Sequence, residues 1–220
     1  MMFKKAIITS GPTREWIDPV RYISNASSGK MGFHLAESVS QWIENTIYIH
    51  GSVLEKYTSP KSCKEIEIET TSDLLNAILS EIEEDCLLIM AAAPADFKPR
   101  DYSDLKIKKK ESDDFTLHLI QNPDILRTVS EERDSRNYRN LKMVGFSAET
   151  NDLDANAMKK LRKKGLDLII GNYVGKGVGF GEVDSTVAIY NEKGIAESWK
   201  DLPKEQIANN IVSFIKFNFS

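Results

Sequence analysis

Three stretches of this chain carry residue types whose spacing could do chemistry. The first is Ser28-Gly29-Lys30-Met31-Gly32, at the start of a helical pattern. A helix N-terminus presents unpaired N–H groups and a positive dipole end, which together attract phosphate. Gly29 and Gly32 would let the backbone approach an anion, and Lys30 would add charge. The stretch is not a P-loop, because Met31 follows Lys30 where Ser or Thr is needed, and the chain has no G-x-G-x-x-G fingerprint. The alternative is a capped helix whose glycines serve packing. The second stretch is Ala91-Ala92-Ala93-Pro94-Ala95-Asp96, after an apolar run. Small residues at the carboxyl end of a buried strand leave room for a ligand, and Asp96 could hold a ribose or a metal. Tight helix–sheet packing with a solvated Asp96 explains the same residues. The third is Lys106-Ile107-Lys108-Lys109-Lys110, either a clamp on phosphates or a carboxylate, or a solvated charged face. Lys160 and Lys164 stand four apart and share a helix face.

These residues need elements to position them. Ala6 to Thr9 reads as a strand closed by the turn Ser10-Gly11-Pro12. A long loop follows, Gly11 to Ala26, much longer than the 2–6 residues usual between strand and helix. Ser27 or Ser28 is expected to cap the next helix, which uses Leu35, Ala36, Val39 and Ile43. Strands are expected at Thr46 to Ile49, Ile66 to Ile68 and Leu87 to Met90. Between the last two, Ser72 is expected to cap a helix carrying Leu74, Leu75, Ile78, Leu79 and Ile82. This alternation points to a parallel sheet flanked by helices. The rhythm then changes: Phe115 to Ile120 alternates as a half-exposed strand. Asn122-Pro123-Asp124 starts a helix through Val129, and Met143 to Phe146 is a strand. Ala155 to Lys164 is a basic helix, Asp167 to Ile170 and Val187 to Tyr190 are strands, and Pro203 opens a final helix.

Composition narrows the function. The chain has 220 residues, enough for one large domain, and 29 basic against 33 acidic residues, a net charge of −4. No basic excess favours nucleic acid, and no run reaches the ~20 apolar residues of a membrane helix. The N-terminus lacks a signal-peptide pattern, and Cys63 and Cys86 have neither metal nor redox spacing, so a cytoplasmic setting is expected. The histidines, His34, His50 and His118, are scattered and suggest no catalytic triad or zinc site.

Ser10-Gly11-Pro12-Thr13-Arg14-Glu15, Asp18-Pro19-Val20-Arg21-Tyr22-Ile23-Ser24-Asn25 and Ser27 to Gly32 together closely resemble the phosphopantothenoylcysteine synthetase family, the phosphopantothenate–cysteine ligases. The resemblance continues, in order, through Ala92 to Asp96, Lys106 to Lys109, Asn122 to Ile125 and Gly145 to Thr150. It implies an α/β, Rossmann-like three-layer parallel sheet with flanking helices and a small antiparallel dimerisation arm, over a single domain 1–220 with the arm near 97–120 and 175–195. It implies a two-step reaction. The carboxylate of 4′-phosphopantothenate attacks the α-phosphate of CTP (ATP in eukaryotic members), releasing pyrophosphate. The amine of L-cysteine then displaces CMP. Mg2+ assists, and no flavin is expected.

The resemblance also assigns residues. Asn25, Lys106 and Lys109 are implied to be catalytic, with the Asn25 amide donating to the acyl oxygen. Gly11, Ser28, Gly29, Lys30, Met90, Ala91, Ala92, Asp96, Lys106, Pro123, Asp124, Ile125, Leu126, Phe146, Lys160 and Lys164 are implied to contact the nucleotide; no metal ligand is assigned. The chain departs from the family at Pro94, where valine is usual, and at Asp184-Ser185-Thr186, where Asp-x-Asn is frequent. A homodimer is implied, as is a free-standing form working beside a separate decarboxylase. Two other readings use the same residues: a nucleotide-dependent oxidoreductase, and a nucleotide-sensing binding module.

Overall fold

A computed structural model describes residues 3–108, 115–174 and 184–219. The central sheet is built from β1 (Lys5–Ser10), β4 (Thr46–His50), β5 (Lys64–Glu67), β6 (Cys86–Met90), β9 (Lys142–Glu149), β10 (Leu168–Tyr173), β11 (Ser185–Asn191) and β12 (Gly194–Leu202). Their spatial order is β12-β11-β10-β9-β6-β1-β4-β5. β10, β9, β6, β1, β4 and β5 run parallel, with Ile7 opposite Ile47 on one side and Leu88 on the other. β11 and β12 add an antiparallel edge.

The apolar runs follow from burial on both faces. Along β1, Ile8 packs with Leu87 and Val144 beneath α1 (Lys30–Ser40) and α5 (Lys204–Asn218). Its neighbour Ile7 packs with Leu88 and Met143 on the opposite face, beneath α2 (Thr71–Glu81), α3 (Ile125–Ser135) and α4 (Leu153–Lys163). Helix, sheet and helix thus form the three layers.

Several local expectations change. The segment read as one loop between Gly11 and Ala26 contains a hairpin, β2 (Arg14–Asp18) and β3 (Arg21–Ser24). A cross-strand Trp16–Tyr22 edge contact at 5.1 Å holds it, with the Arg14 guanidinium 4.6 Å above the Tyr22 ring. Neither Ser27 nor Ser28 is the N-cap residue of α1, although Ser28 Oγ accepts the Lys30 N–H at 3.4 Å. Gly29 occupies the N-cap with φ of 83° and no side-chain bond, while the Ser10 hydroxyl donates to the Gly29 carbonyl at 2.8 Å. Thr70, not Ser72, caps α2, because only Thr70 has an acidic residue, Asp73, three positions on to complete the capping box.

The two segments expected to form one arm have separate places. β7 (Phe97–Pro99) and β8 (Leu119–Gln121) make a small antiparallel ladder. Residues 185–191 instead extend the main sheet as β11, with β12 beside it. Residues 175–183 lie outside the described part.

Candidate functional site

Strand order reverses between β1 and β6, and a crevice opens at their carboxyl ends. Three hydrogen bonds sew the strand ends together. Ala92 N–H donates to Thr9 Oγ1 at 3.1 Å, Ala93 N–H to the Gly11 carbonyl at 2.8 Å, and Ala95 N–H to Thr13 Oγ1 at 3.0 Å. Two adjoining cavities of about 430 and 490 Å3 fill the crevice, and Ala92, Asp96, Phe146 and Lys160 line both.

The first cavity is also lined by Asn25, Ser28, Gly29, Lys30 and Ala91, so it meets the N-terminal turn of α1. Its N-cap residue Gly29 has no side chain to offer, and the Lys30 N–H meets Ser28 Oγ at a long 3.4 Å, so the turn remains suited to an anion. The glycines of this turn serve packing. A Cβ on Gly29 would fall 2.3 Å from Val53 Cγ1, and one on Gly32 would fall 2.5 Å from Ser10 Cβ. Gly32 therefore lets α1 lie directly on β1. Of the two readings of these glycines, the packing one describes Gly32, while Gly29 also lines the first cavity.

Asn25 follows β3 and reaches across to the β6 loop. Its Nδ2 donates to the carbonyls of Ala93 at 3.3 Å and Pro94 at 2.9 Å. The two carbonyls fix the orientation of the amide. The amide donor expected to meet an acyl oxygen is thus engaged within the protein here, and Oδ1 is the side-chain atom left for a ligand.

The second cavity is lined by Met90, Pro123, Asp124, Ile125, Leu126 and Lys164. Asp124 caps α3 by accepting from Arg127 N–H, and Lys164 Nζ stands 3.2 Å from Asp124 Oδ1. Lys160 Nζ donates to Glu149 Oε1 at 2.7 Å and to Ser147 Oγ at 3.1 Å. Partial burial opposes charge on Glu149, but the Lys160 ammonium and the Ser147 hydroxyl outweigh it and hold the carboxyl below its usual range. Both lysines therefore face the crevice as members of ion pairs.

Two predicted residues lie elsewhere. Gly11 lines neither cavity and packs its α-carbon against Val53. Lys106 is exposed, lines neither cavity, and sits beside the tip of the β2–β3 hairpin. Lys109 lies outside the described residues.

Among the crevice residues to which sequence reading gave no role, three polar ones stand out. Lys204, at the first turn of α5, is 6% exposed and lines the first cavity. Lys163 lines the second. Asn122, also in that wall, donates through Nδ2 to Ala95 O at 2.8 Å, and its Oδ1 is buried with no donor among the described residues. A helix-start lysine after Pro203 carries no local sign of sheet-edge proximity, so only the fold reveals Lys204.

Among the described residues, no three His, Cys, Asp or Glu side chains gather as a metal site. A divalent cation carried by a triphosphate needs only one or two protein carboxylates, and Asp96 stands in the wall of both cavities. Burial pushes the Cys63 thiol up to about 11 and that of Cys86 up to about 12, so neither is a thiolate at neutral pH. No helix among the described residues is long and apolar enough to cross a membrane.

Residues 1–217 match the family described as the DNA/pantothenate metabolism flavoprotein C-terminal domain. The coenzyme A biosynthesis bifunctional protein CoaBC of Vibrio vulnificus (strain CMCP6) is 38% identical over 193 residues, 87% of this chain and 47% of that protein. The Bacillus subtilis (strain 168) protein of the same description is 40% identical over 193 residues, 87% of this chain and 46% of its own length. The chain thus spans about half the length of the curated relatives it matches. A crystal structure of the C-terminal domain of a CoaBC protein superposes with a TM-score of 0.77 at 30% identity, over 99% of this chain and 98% of that one.

Proposed function

The chain belongs to the DNA/pantothenate metabolism flavoprotein C-terminal domain family, and from that premise we propose that it is a ligase joining 4′-phosphopantothenate to L-cysteine with CTP. The observation that carries the reading is the single crevice in which Asn25, the N-terminal turn of α1, Asp96, Phe146 and Lys160 share a wall.

In the proposed first step a carboxylate oxygen of 4′-phosphopantothenate attacks the α-phosphorus of CTP, and pyrophosphate leaves. The α1 N-terminal N–H groups, with Lys30 and Lys204 beside them, offset the phosphate charge. Lys160 and Lys164 are in place for the nucleotide once it displaces Glu149 and Asp124 as partners. Phe146 offers a ring wall, and Met90 with Pro123 to Leu126 closes the far side. Lys106 and Lys109 would add charge from the basic run. Mg2+ bound with CTP would screen the triphosphate, and Asp96 would hold it. In the second step the cysteine amine attacks the acyl carbon, its proton passes to solvent, and CMP leaves. Asn25 Oδ1 would accept from that amine, since Nδ2 is already committed.

The product keeps the cysteine carboxylate, so the reading includes a decarboxylase working alongside, in the cytoplasm. It also includes a homodimer. Val20, Tyr22, Phe97, Tyr102, Leu105, Phe115 and Leu119 are exposed on and around the β2–β3 and β7–β8 ladders, an apolar patch suited to a second copy. The test of the ligase reading is pyrophosphate release with 4′-phosphopantothenate, cysteine, Mg2+ and either CTP or ATP. Faster turnover with CTP supports it; no release above the controls lacking either substrate removes it.

A further inference from the structure

Asp18 is a carboxylate closed to solvent that holds another segment of backbone by its amide. Its side chain is 0% exposed, although it stands at the tip of the β2–β3 hairpin. The two carboxylate oxygens divide their bonds. Oδ1 accepts the N–H groups of Val20 and Arg21, each at 2.9 Å, and so builds the hairpin turn. Oδ2 accepts from the Arg21 guanidinium and from the Ile107 N–H at 3.1 Å. Arg21 Nη2 in turn donates to the Ile107 carbonyl at 2.7 Å. Both polar backbone groups of Ile107 are therefore gripped by one ion pair. A second tie lies further back, where Ser103 N–H donates to the Ile17 carbonyl at 3.1 Å.

We propose that Asp18 is the positioning residue for the basic run, fixing the peptide of Ile107 so that Lys106 projects from a set point on the hairpin whose other end carries Asn25. This rests on the ligase reading above only in assigning Lys106 a part in the reaction. The hairpin joins the two functions: its far strand ends at Ser24, next to the amide that spans Ala93 and Pro94. A lysine side chain is long and rotamer-rich, and fixing its root removes much of the freedom that would otherwise oppose a productive contact. The hydrogen bonds from Arg21 hold the Asp18 carboxyl far below the usual carboxylate range, so the grip stays charged across the pH range of any ordinary assay.

The experiment uses the full chain and the variant Asp18→Asn. The amide can keep the turn bonds through Oδ1, but its Nδ2 cannot accept from Ile107 or Arg21. Backbone hydrogen exchange at Ile107 should speed up by about tenfold or more, the scale for losing a charge-assisted hydrogen bond, while Ile8 in β1 stays protected. Pyrophosphate release should fall by about tenfold, and should fall less than about twofold further when Asp18→Asn is added to Lys106→Ala, because both changes remove one unit. Unchanged exchange at Ile107 overturns the proposal. So does an Asp18→Asn penalty of the same factor with and without Lys106. If Ile8 also loses protection, Arg21→Lys replaces it; that side chain is 45% exposed and its loss spares the core. It must then accelerate exchange at Ile107 for the proposal to stand. A parent chain that releases no pyrophosphate removes the ligase reading, and the exchange result alone then decides whether Asp18 holds Ile107.

Discussion

Replacing Lys160 with Met separates binding from stability. The Lys160 ammonium bridges Glu149 at 2.7 Å and Ser147 at 3.1 Å, and its side chain is 42% exposed while that of Glu149 is 14% exposed. A fully solvated pair would contribute about 0–1 kcal/mol, and a charged hydrogen bond in the interior about 1.5–3 kcal/mol. The exposure of Lys160 discounts the second figure, so the expected loss is about 1 kcal/mol. For a chain of this length that lowers Tm by about 2–4 °C. The sign with pH follows from Glu149, whose carboxyl is held below its usual value. Its contribution is present above the unfolded-state value and is lost as pH falls through the lower folded-state value. The Tm gap between parent and variant should therefore be widest near neutral pH and shrink as pH falls below about 4.5. Binding should suffer more than stability: loss of a cation from the crevice should weaken CTP by about tenfold or more in calorimetric titration. A gap that persists unchanged in acid, or CTP affinity equal to that of the parent, refutes the reasoning.

Three further outcomes follow from the same geometry. Asn25→Ala removes both bonds to the β6 loop, and with cysteine present it should let the acyl-nucleotide accumulate, read by chromatography of quenched reactions. Its Tm should stay within about 2 °C of the parent, because Asn25 is exposed. Gly32→Ala drives a methyl group to 2.5 Å from Ser10 Cβ and 2.9 Å from the Thr9 carbonyl, and should cost about 1–3 kcal/mol in urea unfolding. Lys204→Gln should raise the KM for nucleotide or phosphopantothenate by about tenfold with a smaller change in kcat, measured by pyrophosphate release.

The sheet was legible in the sequence wherever strands are covered on both faces. Leu87 to Met90 and Met143 to Phe146 read as strands because two-sided burial demands unbroken apolar runs. The β2–β3 hairpin was hidden because it is short, interrupted by Pro19, and held by a Trp16–Tyr22 pair whose partners lie across a turn. β12 was hidden because it is an edge strand with mostly exposed residues and no apolar alternation. In the crevice, the stretches that follow strand ends were legible, since βα loops gather at one edge of a parallel sheet. Lys204 was not, because its distance in sequence from the other crevice residues says nothing of its place in the wall. The glycines near Lys30 carried two readings in the sequence, ligand approach and packing, and the steric fit against Val53 and β1 is visible only in the fold.

The central claim is that this crevice activates a carboxylate by transferring a nucleotidyl group to it. Oxygen-18 in the carboxylate of 4′-phosphopantothenate tests it most directly, with cysteine, CTP and Mg2+ present and the released nucleotide examined by mass spectrometry. The account predicts that one labelled oxygen appears in the phosphate of CMP for each amide formed. Label that remains out of CMP, or that appears in inorganic phosphate, contradicts it.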